Sequence, residues 1–410
     1  MSILETQDCY RPQRGVRGWI GGRFIAWAPA LLGLLRRWKP ILHLFSTWVV
    51  TRYDDVVEIF ETDAAFGVTY AENLDVITDK QPFFLGMRDT ADYRRQLAGM
   101  RTVCTAADLH RLADDAEARA QAMVDATDGR IEVVGLVRPA AFDTIARYFG
   151  VPEPAVGSLS VWGSRLFEFQ FTGSPADKVW LADVEQIAAA FRVHIDGVIA
   201  ARKAKVDRPD DVLSRCLTLQ AQGAAGYSDV EIRTALLCMI VGGPPQPPMV
   251  LPQALEQLLR RPAWLAVAQQ AARAGDDGRL WAIIQEAMRF DPLGPGLKRI
   301  ALQDWTLARG TSSARTITKG SNVVAAFSSA MMDARRIPDP KRFDPDRQPH
   351  EYVHFGHGLH ICFGLQINKA TMPRMLKPLL ARQNLRRARG SAGHLRKNGL
   401  FSDRLVVEFD

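Results

Sequence analysis

The densest reactive chemistry in this chain lies in Phe355-Gly-His-Gly-Leu-His-Ile-Cys-Phe-Gly364. Its glycines, Gly356, Gly358 and Gly364, admit positive φ angles and a close approach of backbone to a ligand. Cys362 stands just before a helical pattern over Leu365–Leu380, where exposed N–H groups and the helix dipole stabilise a thiolate. A bare cysteine is more often a small buried hydrophobe, but that reading leaves the glycines unexplained. His354, His357 and His360 repeat no known metal-ligand spacing. By residue type alone, this loop presents a thiolate to a flat or bulky ligand.

The rest of the chain supplies the elements that hold such a loop. Thr47–Arg52 is β-branched and reads as a strand, and Asp54–Phe60 as a short helix. Helical periodicity runs through Asp89–Ala126, Ala140–Phe149, Leu181–Lys205, Asp229–Val241, Leu255–Leu259 and Leu280–Phe290. Asp210, Asp211 and Ser214 mark a further helix start. Short strands read at Thr316–Thr318, Asn322–Ala326 and Leu405–Phe409. The fold class is mainly α with a minor β component, in one large domain. The 410 residues are 47% apolar and 24% charged, which excludes a wholly disordered or collagen-like chain. Five widely spaced cysteines without a C-x-x-C exclude a disulfide framework and a zinc ribbon. The formal charge of +7 comes with no nucleic-acid-binding motif and reads as complementarity to an acidic protein partner.

The loop matches, at every defining position, the haem-binding pattern Phe-x-x-Gly-x-His-x-Cys-x-Gly, and the chain resembles the cytochrome P450 family from about Val49 to its end. Glu286-Ala-Met-Arg289 resembles the family's E-x-x-R motif; residues three apart on a helix share a face and pair. Pro340-Lys-Arg342-Phe343 resembles its P-x-R-F segment and supplies the pair's third partner, Arg342. The resemblance implies a triangular helical fold with small sheets. It implies haem b, iron protoporphyrin IX, with Cys362 as the axial iron ligand that favours O–O cleavage. It places Phe355 beside the sulfur, Gly356, Gly358 and Gly364 around it, and His360 and Arg299 at the propionates. Phe83, Phe84, Leu236, Met239, Leu293 and Leu297 fall where the family lines an apolar substrate pocket.

Three departures stand out. The family's central helix usually carries a Gly-x-Asp/Glu-Thr signature, and here Gly243 takes the glycine position, Pro245 the acid and Gln246 the alcohol. Each interior proline in Gly242-Gly-Pro-Pro-Gln-Pro-Pro248 removes an N–H donor and costs ~3 kcal/mol of helix stability, so a broken helix over the haem is expected. Gln246 orients water or substrate but cannot ionise. At the second departure Tyr93 and Leu97 replace a propionate-binding His and Arg, with Arg94 or Arg95 substituting in charge. At the third, Tyr352 stands where the family commonly has His.

The resemblance implies a monooxygenase that oxidises a small or medium hydrophobic molecule with dioxygen and electrons from a ferredoxin-type partner. Lys369, Arg374 and Lys377 are candidates for that partner's docking face. A peroxide-driven peroxygenase, a haem-dependent isomerase or dehydratase, and a non-catalytic haem sensor are the alternatives. A cytoplasmic monomer that binds no nucleic acid is expected, since MSILETQDCY has Glu5 and Asp8 where a signal peptide carries positive charge. Residues 1–48 read as a basic, apolar segment packed on the body, with Arg14, Arg17, Arg23, Arg36, Arg37 and Lys39 among Trp19, Trp27 and Trp38. Weak contact with a membrane surface is the other reading of that segment. Residues 49–410 read as a single haem-thiolate domain.

Overall fold

The computed structural model describes residues 2–11 and 15–410, and the backbone alone over 15–26. Arg14 and the side chains of Arg17, Trp19 and Arg23 therefore lie outside the described residues. Helices dominate, and the small sheets sit at their margin. One buried cluster is helical and holds most of the core; a second, smaller one fills the space beneath a five-stranded sheet. That sheet runs in the order Ile41–Leu44, Thr47–Val50, Asn322–Ala325, Leu297–Ala301, Phe66–Val68. Only the pairing of Thr47–Val50 with Asn322–Ala325 is parallel.

Local chemistry explains where the expected elements end. The pattern over Asp89–Ala126 divides into helices Ala91–Val103 and Leu109–Asp125. Cys104 leaves the helix in extended geometry, and a Thr105–Asp108 capping box starts the next turn. Asp211 caps helix Val212–Ala221 by accepting from the Ser214 N–H at 2.8 Å, as the acidic start signal implied. Helix Leu159–Thr172 shows no helical period in the sequence, because eleven of its fourteen residues are buried, Arg165, Glu168 and Gln170 among them.

The central helix is broken. Helix Asp229–Gly242 stops, four residues turn, and helix Pro247–Leu259 resumes. Pro244 and Pro245 carry no N–H for the carbonyls of Ile240 and Val241, four residues back. Both halves are buried over most of their length, so tertiary packing keeps them in place despite the lost ladder. Helix Leu365–Leu380 likewise tolerates Pro373 and Pro378 inside it.

Candidate active site

Backbone hydrogen bonds shape the cysteine loop. The Cys362 N–H donates to the Phe355 carbonyl at 2.9 Å, and the Leu365 N–H to the Cys362 carbonyl at 3.2 Å. Gly356 and Gly358 hold φ of 77° and 67°. A Cβ on Gly358 would lie 2.5 Å from the Phe60 carbonyl oxygen, so this glycine lets the loop press on helix Tyr53–Glu61. Gly364 differs from that expectation: it carries no positive φ. It is the N-cap of helix Leu365–Leu380 at φ −81°, and a Cβ there would sit 3.9 Å from the Cys362 sulfur.

Cys362 faces a cavity of about 610 Å³, shared with His360, Gly358, Tyr93 and Phe84. Desolvation pushes its thiol up to about 11, against the pull of the Gly364 N–H. The helix terminus that favours a thiolate therefore loses to burial, and ionisation there needs a cation. The His360 side chain is only 8% exposed, and its Nδ1 has no partner among the described residues. Its Nε2 is 4.0 Å from Asp63. Burial, with the charge of Arg299 adding, lowers its pKa to about 4. Arg299 is itself buried, and burial lowers its pKa. Its one side-chain hydrogen bond among the described residues goes to the neighbouring Lys298 carbonyl, and its guanidinium lies 5.3 Å from the Phe60 ring centroid.

A buried guanidinium without an ion pair among the described residues costs solvation energy that nothing in the chain returns. Together with the orphaned His360 nitrogen and the cavity at Cys362, it fits a ligand bearing carboxylates at one edge and a metal cation at its centre. Haem has both.

Remote elements hold this arrangement. Arg289 donates to both oxygens of Glu286 at 2.7 and 2.8 Å, and to the carbonyls of Met331 and Pro340. The third partner is not the Arg342 side chain, which pairs with Asp344 at 2.5 Å in solvent. The buried Arg347 takes that place, reaching Glu286 at 3.3 Å and Glu351 at 3.8 Å. The Arg342 backbone still contributes, since its carbonyl accepts from Arg289 and Arg347. Tyr352 adds a hydroxyl to Glu286 at 3.3 Å.

A profile of the family described as Cytochrome P450 matches residues 177–398. The chain belongs to the cytochrome P450 family. It is 26% identical over 361 residues to the erythromycin C-12 hydroxylase of Saccharopolyspora erythraea, covering 86% of each chain. To the vitamin D(3) 25-hydroxylase of Pseudonocardia autotrophica it is 25% identical over 338 residues, covering 78% of this chain and 76% of that one. Among solved structures, P450BioI in complex with an acyl carrier protein ligated to hexadec-9Z-enoic acid superposes with a TM-score of 0.81 at 19% identity. That match covers 95% of this chain and 100% of the other. A mutant of P450 EryK in complex with erythromycin B gives 0.76 at 21% identity, over 94% and 96%. The mainly helical architecture is that of these P450s, and the chain is an oxidoreductase of the monooxygenase family.

Within this P450 the expected site residues divide. Phe84 packs edge-on to Phe363 with ring centroids 5.6 Å apart, and so meets the loop itself. Phe83 and Arg95 instead line a separate cavity of about 40 Å³. Arg95 is bound to Asp92 at 2.5 Å and Glu231 at 3.1 Å, so its charge is spent away from Cys362. Tyr93 gives its hydroxyl to the Leu359 carbonyl at 2.8 Å, tying helix Ala91–Val103 to the cysteine loop. Arg101, one turn beyond Leu97, lines the Cys362 cavity; helix spacing from Leu97 was the signal that would have found it. Phe355 packs against His354 and Trp281, at 4.7 and 5.9 Å between centroids. Leu236 and Met239 are buried, and Leu293 and Leu297 half-buried. Gly243 is exposed at the helix break, and the Gln246 side-chain amide donates to the Gly242 carbonyl.

The expected basic docking face is largely neutralised. Arg374 is held by Asp277, Asp114 and Glu117, and Lys377 by Glu117 at 3.1 Å and Asp277 at 3.5 Å. Their acidic partners come from helices Leu109–Asp125 and Asp277–Phe290, which sequence spacing does not bring near helix Leu365–Leu380. Lys369 remains exposed.

Proposed function

We propose that this P450 binds haem b through the Cys362 thiolate and hydroxylates or epoxidises a hydrophobic organic molecule, with electrons from a ferredoxin-type partner. The observation that carries this reading is the Cys362 cavity lined by His360, whose Nδ1 has no partner among the described residues, with the charge of the buried Arg299 felt at that histidine. When bound, the haem supplies the activation of dioxygen. The chain's own part is to hold it: Cys362 as ligand, Arg299 and His360 on the propionates, and Arg101 as a further cation at the cavity wall. Charge-assisted contacts to a carboxylate are the strong class of hydrogen bond. Phe84, which lines the Cys362 cavity, is assigned to the apolar substrate wall, with Leu236, Met239, Leu293 and Leu297 proposed to extend it; Phe83 faces the separate cavity instead. The relatives' names, an erythromycin C-12 hydroxylase and a vitamin D(3) 25-hydroxylase, support a small organic molecule as substrate. We assign the chain to the cytoplasm as a monomer.

Proton supply is where this chain departs from the family pattern. Pro245 offers no titratable group, and the Gln246 amide is already engaged by Gly242. The carbonyls of Ile240 and Val241, freed by Pro244 and Pro245, are left to order the water that delivers protons. The same observation favours a second reading, a peroxide-driven peroxygenase, because peroxide arrives reduced and protonated.

The reduced, carbon monoxide-bound protein should show the red-shifted Soret band of thiolate ligation, and Cys362→Ala should lose it. Survival of that band in Cys362→Ala would overturn the axial assignment. Turnover with a ferredoxin pair, compared with turnover by peroxide alone, separates the two oxidants.

A further inference from the structure

The chain's positive excess is confined to one segment. Residues 9–53 hold eight Lys and Arg and no Asp or Glu, leaving 44 basic against 45 acidic residues elsewhere. This segment contains helix Gly15–Trp38 and the hairpin Ile41–Leu44/Thr47–Val50, whose first strand is the edge of the five-stranded sheet.

The helix is apolar on the wrong face as well as the right one. Ala28 and Leu32 are buried, and Arg36 ties the helix to the body through the Ser329 hydroxyl and carbonyl at 2.7 and 2.8 Å. The outward stripe is Trp27, Leu31, Leu34 and Trp38, spaced i, i+4, i+7 and i+11, with exposures of 65, 42, 58 and 69%. A soluble surface helix puts polar residues there. Beyond it, the hairpin tip places Phe45 99% exposed at φ 55°, a backbone conformation disfavoured for a bulky residue. Burial within the fold does not explain that ring. The flanking cations Arg37 and Lys39 are exposed, and Arg37 lies 5.1 Å from the Trp38 ring centroid. No helix among the described residues is long and apolar enough to cross a membrane.

We infer that this face docks on an anionic lipid surface. The leucines and Phe45 enter the headgroup–acyl boundary, the tryptophans lie at the interface, and the basic residues meet lipid phosphates. Anionic lipid matches both features of the face. A second copy of this chain would bring its own Arg37 and Lys39 against the Arg37 and Lys39 already there.

The holoprotein should co-sediment with vesicles of 70% phosphatidylcholine and 30% phosphatidylglycerol at low salt. Binding should fall at least about tenfold on neutral phosphatidylcholine vesicles, at high salt, and in Arg37→Glu/Lys39→Glu. Leu31→Ser/Leu34→Ser should lose a similar factor. These side chains are solvent-exposed, so the melting temperature and the carbon monoxide spectrum should not move. No sedimentation at low salt, equal binding to neutral vesicles, or full binding by either variant overturns the inference. Self-association that Leu31→Ser/Leu34→Ser abolishes, without vesicle binding, would assign the face to a second copy instead.

Discussion

Two buried clusters of charge, one behind the haem loop and one beside it, are built on opposite rules. Behind the loop, two carboxylates, Glu286 and Glu351, face two guanidinium groups, Arg289 and Arg347, and the Asp344 N–H also donates to Glu286 at 2.8 Å. Opposite charges are matched inside the protein, and the remaining donors find backbone carbonyls. At the loop, the buried Arg299 has no ion pair among the described residues, and the His360 side chain has only its 4.0 Å approach to Asp63. A network satisfied internally is scaffold, because removing any member strands another charge. A network left open is a socket, because its missing members arrive with the ligand.

The largest expected effect tests that contrast directly. Arg289→Leu leaves Glu286 short of its main partner and should destabilise the protein by about 3–5 kcal/mol, by the cost of breaking a buried pair. Equilibrium urea unfolding of the haem-free chain measures it. Arg299→Leu replaces an unpaired buried cation with an apolar group, so the haem-free chain should hold its stability or gain a little. The same variant should release haem at least about tenfold faster, as loss of one charge-assisted contact implies. A strong stability loss in haem-free Arg299→Leu would make the two clusters alike and remove the distinction.

The residues legible in the sequence are those whose chemistry is contiguous or helically spaced. The Cys362 loop and Glu286–Arg289 needed no tertiary information. The helix break was legible too, since four prolines in five positions leave no ladder to continue. What escaped depends on distant segments. Arg347 is recruited to Glu286 from 61 residues away. Arg374 and Lys377 read as free cations until helix Leu109–Asp125 supplies Asp114 and Glu117. Arg95 read as a haem-edge charge until Glu231 claimed it. Each miss concerns where a charge is spent, which spacing within one helix does not decide.

A smaller effect should sharpen the contrast on the socket side. Gly358→Ala forces a Cβ towards the Phe60 carbonyl at a positive φ, and should cost about 1–3 kcal/mol as backbone strain. Because the clash lies between the loop and helix Tyr53–Glu61, the loop carrying His360 and Cys362 should shift. Lower haem occupancy and a displaced Soret band would report that shift. Gly364→Ala meets no backbone and has an ordinary φ, so its stability should stay within ~1 kcal/mol through the N-cap alone. An equal loss in both would mean that the glycines serve the helix start rather than the loop.

The smallest effects come from two tyrosines, one in each cluster. Tyr352 donates to Glu286 at 3.3 Å, a long bond to a carboxylate already served by Arg289, Arg347 and a backbone N–H. Tyr93 donates to the Leu359 carbonyl at 2.8 Å, inside the cysteine loop. Each phenylalanine variant removes one hydrogen bond, worth about 0.5–1.5 kcal/mol. Stability alone therefore does not distinguish them. Their spectra should: Tyr352→Phe leaves the Soret band and haem release unchanged, because its partner is scaffold. Tyr93→Phe frees the Leu359 carbonyl next to His360 and should accelerate haem release with a similar loss of stability. Identical haem release in the two variants would place Tyr93 in the scaffold as well, and would leave Arg299, His360 and Arg101 as the socket's remaining polar wall.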